Sequence, residues 1–174
     1  MYAPDDDSFL LASVIKKHLK GKNKNIKILD MGTGSGIQAE TCSAIGFKNL
    51  IACDIDSESI RFVASKKINS IKSNLFENIT GKFDLIIFNP PYLPEDRYDK
   101  EKDTSGGKLG DETIINFLEQ AKKYLNKNGE ILLLLSSLTP RSRINKIIEK
   151  FKVEKLAEKK LFYETLEVWL ITSS

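Results

Sequence analysis

The sequence predicts an open, mostly parallel α/β sheet with helices on both faces, and three observations carry that prediction. Apolar residues recur at helical and strand spacing in alternation along the whole chain. Two stretches, Phe83-Asp84-Leu85-Ile86-Ile87-Phe88 and EILLLL at 130–135, are almost wholly apolar, as strands covered on both faces must be. A glycine-rich turn, Gly32-Thr33-Gly34-Ser35-Gly36, separates a short apolar strand from a helical pattern.

Taken in order, Ser8 is placed to cap a helix whose apolar face is Leu10, Leu11, Val14, Ile15 and Leu19, ended by Gly21. The strand Ile26-Lys27-Ile28-Leu29 follows a lysine-rich loop. The glycine turn then leads into a helix from about Ile37 to Ala44. Leu50 to Cys53 reads as a second strand, and Ser57 as the cap of a helix through about Lys67. A weak third strand is expected near Ile68 to Lys72, and the fourth is Phe83 to Phe88. Asp111 opens an amphipathic helix carrying Ile114, Ile115, Leu118 and Leu125, closed near Gly129. After the 130–135 strand, Thr139 and Pro140 start another helix, with proline in the first turn where its missing N–H is harmless. The segments 152–160 and 166–172 read as two strands joined by a short turn, an antiparallel pair at one side of the sheet.

The 174 residues fit one domain, 1–174, with 27 basic and 24 acidic side chains and a net charge of +3. An apolar share of 41% argues against wholesale disorder, and no apolar run approaches the roughly 18 residues that span a bilayer. The acidic start MYAPDDDSFL lacks the basic opening of a secretory signal. Cys42 and Cys53 make neither a disulfide framework nor a zinc site, so a reducing, cytoplasmic setting is the expectation, with both thiols as small buried apolar groups. Residues 141–160 hold eight Lys or Arg against three Glu, an excess that reads as a solvated helix face rather than a nucleic-acid surface. His18 has no metal-binding neighbour in sequence and reads as a surface or boundary residue; Trp169 reads as core, and Tyr163 as a packing residue in preference to one lining the substrate mouth.

In such sheets ligands bind beyond the carboxyl ends of the strands, at the switch in strand order. Asp30-Met31-Gly32-Thr33-Gly34-Ser35-Gly36 falls there. Its spacing is G-x-G-x-G, and Ile37 stands where a dinucleotide fingerprint would place its last glycine. That departure favours a smaller adenosyl cofactor over NAD, and the absence of GKS or GKT excludes a P-loop. Asp54 ends the second strand, where a carboxylate can accept from two ribose hydroxyls; Asp56 competes, though it suits the start of the next helix better. Asn74, past the third strand, can meet an adenine edge. In this order and at these strand ends, the residues favour S-adenosylmethionine.

Asn89-Pro90-Pro91-Tyr92 directly follows the fourth strand. The prolines hold the backbone extended and fix the carbonyls. The Asn89 side-chain oxygen and the Pro90 carbonyl can then accept from one planar –NH2 group, with Tyr92 offering a face for stacking. An amide nitrogen is a poor nucleophile because its lone pair is delocalised. Two acceptors on its hydrogens return density to nitrogen and aim it at an electrophilic methyl.

These residues resemble a class I S-adenosylmethionine-dependent methyltransferase with the NPPY signature, and more narrowly the HemK-related glutamine methyltransferases of class I translation termination factors, in their short archaeal and eukaryotic branch. Tyr2-Ala3-Pro4-Asp5-Asp6-Asp7-Ser8-Phe9-Leu10-Leu11 is similar to the family's opening Y-x-P-x-E-D-[ST]-x-L-L, with Asp6 in place of Glu. Gly106-Gly107-Lys108-Leu109-Gly110 is similar to its G-G-x-x-G, and Glu164-Thr165-Leu166 to its E-T-L. Asn74 stands where the family usually has Asp, and Asp103-Thr104-Ser105 where it commonly has Trp. Bacterial members carry an extra N-terminal helical domain, which this sequence is not expected to contain.

The resemblance implies a Rossmann-like, seven-stranded sheet in the order 3-2-1-4-5-7-6. It implies cofactor contacts from Tyr2, Pro4, Asp7 and Ser8, from Asp30, Gly32, Thr33, Gly34 and Gly36, from Asp54 and Ile55, from Asn74 and Leu75, and from Asn89. Asn89, Pro90, Pro91 and Tyr92 become the catalytic element. The implied reaction moves a methyl group from S-adenosylmethionine to the glutamine amide of a release factor's GGQ motif and leaves S-adenosylhomocysteine. The implied partner is a small zinc-binding activator pairing with the edge strand near Ile68 and Ile71, in a heterodimer. An edge blunted by Lys66, Lys67 and Lys72 is the competing reading. An adenine-amine methyltransferase acting on DNA or RNA is the alternative activity, since NPPY grips the same –NH2 pattern, and a non-catalytic cofactor-binding module is the third possibility.

Overall fold

The computed structural model describes residues 4–91 and 110–173. Tyr2, Tyr92 and Gly106 to Leu109 lie outside the described residues, as do Asp103 to Ser105.

The chain opens with α1 (Asp6–His18), then β1 (Ile28–Met31), α2 (Ile37–Ala44), β2 (Leu50–Asp54), α3 (Ser57–Ser65) and β3 (Ser70–Lys72). After β4 (Phe83–Phe88) come α4 (Glu112–Ala121), a short 3-10 turn at Lys122–Tyr124, β5 (Leu125–Ser136), α5 (Ser142–Ile148), β6 (Phe151–Lys160) and β7 (Thr165–Ser173). The seven strands form one sheet ordered β3-β2-β1-β4-β5-β7-β6, as the resemblance implies. The first five pair in parallel, and β7 runs antiparallel to both β5 and β6.

Alternation along the central strands sorts the core into two layers. Leu85, Ile87, Leu132 and Leu134 pack with Leu11, Ile15, Ala39 and Val63, from α1 to α3. Ile86, Phe88, Ile131 and Leu133 pack with Ile114, Phe117, Leu118 and Ile144, from α4 and α5. Phe76, Phe117 and Phe88 form a run of rings on this second face, with centroids 5.5 Å and 4.6 Å apart.

Several boundaries differ from the sequence expectation. Asp5, not Ser8, caps α1 and accepts from the Asp6 N–H at 2.7 Å; Ser8 is a buried residue of the helix. Asp56, not Ser57, caps α3. β1 starts two residues late because the Ile26 N–H bonds back to the Asn23 carbonyl, outside the ladder. Leu125 belongs to β5 rather than α4. The β4–β5 pairing shifts register after Phe83, and an added Cβ at Gly129 would lie 2.9 Å from the Phe83 carbonyl oxygen. That crowding leaves room only for glycine in the irregular stretch. α5 begins at Ser142, after Thr139 and Pro140. His18 is a boundary residue, as expected, and its Nε2 lies 2.7 Å from Glu130 Oε2.

Candidate active site

The strand order reverses between β1 and β4, which places the ends of these two strands side by side. Met31 pairs with Phe88, so the glycine turn and Asn89 leave the sheet at the same level. Gly32 and Gly36 show why glycine is needed in this turn. Both have left-handed φ, +61° and +83°. A Cβ on Gly32 would lie 3.2 Å from the Phe88 ring, and one on Gly36 only 2.9 Å from Val63 Cγ2. Gly36 stands at the N-terminal end of α2 and contributes no side-chain cap.

Asp54 reaches over from β2. One carboxylate oxygen accepts from the Gly34 N–H at 2.8 Å, the other from the Asp56 N–H at 2.9 Å. A carboxylate has about four lone-pair sites, so each oxygen retains capacity for a hydroxyl donor. Asp56 faces its own helix, accepting from the N–H groups of Glu58 and Ser59 and from the Ser59 hydroxyl, bonds that hold its carboxyl down at about 2. Ile55 beside it is 64% exposed, an apolar surface without cover at the strand end. Asn74 is exposed and donates to Glu77 at 2.9 Å; its neighbour Leu75 is half-buried with φ +47°.

Asp30 lies inside β1 and is 1% exposed. It accepts from the Thr33 hydroxyl at 2.5 Å and the Ala39 N–H at 3.1 Å, so it fastens the turn to α2. Burial pushes its carboxyl up to about 7, opposed by those two hydrogen bonds and assisted by the charge of Asp54. Burial also pushes both cysteine thiols up, that of Cys53 to about 12, so neither is a reactive thiolate.

Asn89 sits half-buried, followed by a buried Pro90 and a half-buried Pro91. Its amide nitrogen donates to Asp7 Oδ2 at 3.0 Å. Its amide oxygen is buried and has no partner among the described residues. The start of α1 is thereby brought over the ends of β1 and β4. Gln38, in the first turn of α2, donates to the Ser8 carbonyl at 3.0 Å, and Lys159 of β6 bonds Asp6 at 2.7 Å. Pro4 precedes this helix and is exposed.

Two contacts at this site escape the sequence pattern. The Asp7–Asn89 bond joins residues 82 apart. The Gln38–Ser8 bond is the second, and a polar residue between the apolar Ile37 and Ala39 is its one visible signal in the sequence. Tyr163 is not a packing residue. It is 84% exposed, edge to face with Phe162 at 4.6 Å on the β6–β7 turn. Trp169 is only half-buried, lies against the core, and donates to Glu167. Glu164 accepts from Ser136, tying that turn to the end of β5.

The model of the methyltransferase small domain family matches residues 2–165. A Methanocaldococcus jannaschii protein provisionally named a protein N5-glutamine methyltransferase is 37% identical over 97% of this chain and 89% of its own length. The release factor glutamine methyltransferase of Haemophilus influenzae is 30% identical over 74% of this chain, which spans about half of that relative (53%). Among solved structures, the E. cuniculi Mtq2–Trm112 complex, described as responsible for methylation of the eRF1 termination factor, superposes with a TM-score of 0.78 at 21% identity. It covers 99% of this chain and 98% of the other. The T. thermophilus 16S rRNA N2 G1207 methyltransferase, solved with AdoMet and guanosine, gives 0.73 at 18% identity, over 99% of this chain and 44% of the other. The strand order, the glycine turn and these likenesses define a Rossmann-like class I methyltransferase fold, and the chain belongs to the methyltransferase small domain family.

Proposed function

We propose that this protein is a protein methyltransferase acting on the side-chain amide of the GGQ glutamine in a class I release factor, with S-adenosylmethionine as methyl donor. The observation that carries the reading is the buried Asn89 amide oxygen, an acceptor without a partner among the described residues, at the strand switch point. The names of the archaeal and Haemophilus relatives support the substrate class.

The residues present fit the cofactor. The turn at Gly32 and Gly36 admits no side chain, Asp54 retains acceptor capacity, and Ile55 offers an apolar face. Gly32, Thr33, Gly34 and Gly36 would line it, with Asp30 holding the turn from behind. Asp54 would take the ribose, and Ile55, Asn74 and Leu75 the adenine, with Tyr2, Pro4 and Ser8 closing from the α1 side. When bound, the cofactor supplies an electrophilic methyl on a sulfonium.

Asn89 and the Pro90 carbonyl accept the two hydrogens of the substrate amide, and Tyr92 stacks on its plane. Both acceptors strengthen as positive charge grows on nitrogen, so they favour the transition state over the ground state. No strong base is needed beforehand, because transfer to the neutral amide gives an N-methylated cation that is far more acidic than the parent amide and then loses its proton to solvent.

A partner is part of the proposal. β3 is the edge strand, three residues long; half-buried Ile71 lies within it and half-buried Ile68 two residues before it. A small zinc-binding activator adding a strand there would cover both, and the existence of the Mtq2–Trm112 complex supports a partner of some kind. No described helix is long and apolar enough to cross a membrane, and a cytoplasmic setting suits a translation factor as substrate.

The test incubates the protein and labelled cofactor, with and without activator, with a GGQ-bearing release factor or with adenine-containing oligonucleotides. Label in the release factor alone supports the reading. Label in oligonucleotide alone replaces it with the adenine-amine activity, and no label with either substrate leaves a cofactor-binding module.

A further inference from the structure

We propose that Asp7 is a positioning residue for catalysis, holding the Asn89 amide in the one orientation that turns its oxygen toward the substrate nitrogen. This inference rests on the proposed methyl transfer and assigns a part of the site that the cofactor does not explain.

An asparagine amide presents two ends of nearly equal size, and only hydrogen bonding decides which faces where. At the end of β4 the choice determines function. With the oxygen outward, Asn89 accepts from a substrate –NH2; with the nitrogen outward, it offers a donor to a donor and repels it. Asp7 is 4% exposed and its Oδ2 lies 3.0 Å from Asn89 Nδ2. An ionised carboxylate is acceptor-only, so it pairs with the –NH2 end of the amide and rejects the oxygen end. The oxygen is left buried and without a partner among the described residues, pointing away from Asp7.

The carboxylate is itself fixed. Its Oδ1 accepts from the Ser8 N–H at 2.5 Å, and it sits in the first turn of α1, where the helix dipole favours negative charge. Ser8 is tied to α2 through Gln38, and Asp6 to β6 through Lys159. The carboxylate also polarises the amide it holds. Negative charge at the –NH2 end shifts density onto the oxygen, which strengthens the bond to a substrate nitrogen gaining positive charge. Asp7 thus acts through Asn89 and needs no contact with the cofactor.

Three measurements test this. In Asp7→Asn the amide at position 7 can donate as well as accept, so the orientation of Asn89 is no longer fixed. The expected result is a fall in kcat of about 10- to 100-fold, smaller than the roughly 100- to 1,000-fold of a deleted transition-state hydrogen bond because the acceptor is misaimed rather than removed, with cofactor Kd within about threefold of the parent. Parallel weakening of cofactor binding with kcat at saturation unchanged would make Asp7 a cofactor contact and overturn the proposal.

The second measurement exchanges the two groups. Asn89→Asp alone sets two carboxylates face to face; adding Asp7→Asn restores a donor to an acceptor. The double variant is expected to exceed Asn89→Asp alone by at least about tenfold, as coupled partners do, whereas additive losses contradict the pairing. The third needs no substrate. The side-chain –NH2 resonances of Asn89, identified by their loss in Asn89→Ala, should shift in Asp7→Asn, and resonances that stay in place refute the contact. If the parent leaves the release factor unlabelled while those resonances shift, the substrate reading fails and the Asp7–Asn89 pairing stands.

Discussion

Gly36→Ala tests the cofactor turn through stability alone. The residue has φ +83°, where an L side chain is strained by about 1–2 kcal/mol. The new methyl would lie 2.9 Å from Val63 Cγ2, inside the distance real Cβ contacts tolerate. Val63 is fully buried among the helices of that face, so it cannot swing away, and overpacking of this kind costs about 1–3 kcal/mol. The sum is roughly 2–5 kcal/mol, a large share of the roughly 5–15 kcal/mol that holds a domain folded. Urea unfolding followed by circular dichroism measures it. Val63→Ala separates the two contributions. In the double variant the methyl contact is gone and only the backbone strain remains, so the combined loss should fall short of the sum of the single losses by about 1 kcal/mol or more. A loss below about 0.5 kcal/mol for Gly36→Ala, or strict additivity with Val63→Ala, would refute the packing described for the turn.

Two further predictions concern the carboxylates. Asp54→Ala removes the acceptor for the Gly34 and Asp56 N–H groups. Calorimetry should show cofactor affinity falling by about tenfold or more, the scale of a lost charged hydrogen bond, and unaltered affinity would point to Asp56 instead. Asp30→Asn tests the buried carboxyl, raised from 3.8 to about 7. Between those values the folded chain holds a proton that the unfolded chain has lost. The stability contribution is therefore fully present below 3.8 and declines through about pH 7, with a slope near 1.4 kcal/mol per pH unit. Asp30→Asn should flatten that decline in urea unfolding from pH 4 to 8, and an unchanged slope would show that Asp30 is ionised in the folded state.

Much of the fold was legible because local chemistry and burial agree. α2 and β4 fall at the residues that the sequence assigns, since a glycine turn leads into the one and a proline pair closely follows the other. Boundaries slipped where several polar residues competed for one role. Three aspartates precede Ser8, and the first of them caps α1. β5 begins five residues before the expected strand, because Leu125 continues the helical spacing of α4 in sequence, yet Leu125 to Gly129 run as an irregular extension of the strand. Asp30 reads as a turn residue by polarity. Thr33 and Ala39 satisfy it inside β1, which no pattern of period two reveals. The site was legible as an ordered set of strand ends, because ligands in this architecture gather there. The pairing of Asp7 with Asn89 was not, because only the folded sheet brings the chain start over β4.

The proposed methyl transfer needs the Asn89 amide oxygen to face the substrate nitrogen, and Asn89→Ala removes that oxygen while leaving the glycine turn and Asp54 in place. The measurement is site mapping by mass spectrometry of a GGQ-bearing release factor after incubation with parent or variant, alongside calorimetric binding of the cofactor. The predicted result is one methyl on the glutamine with the parent and none with the variant, whose cofactor Kd stays within about threefold. A variant that still methylates the glutamine at the parental rate, or that fails because it no longer binds cofactor, would contradict the role given to Asn89.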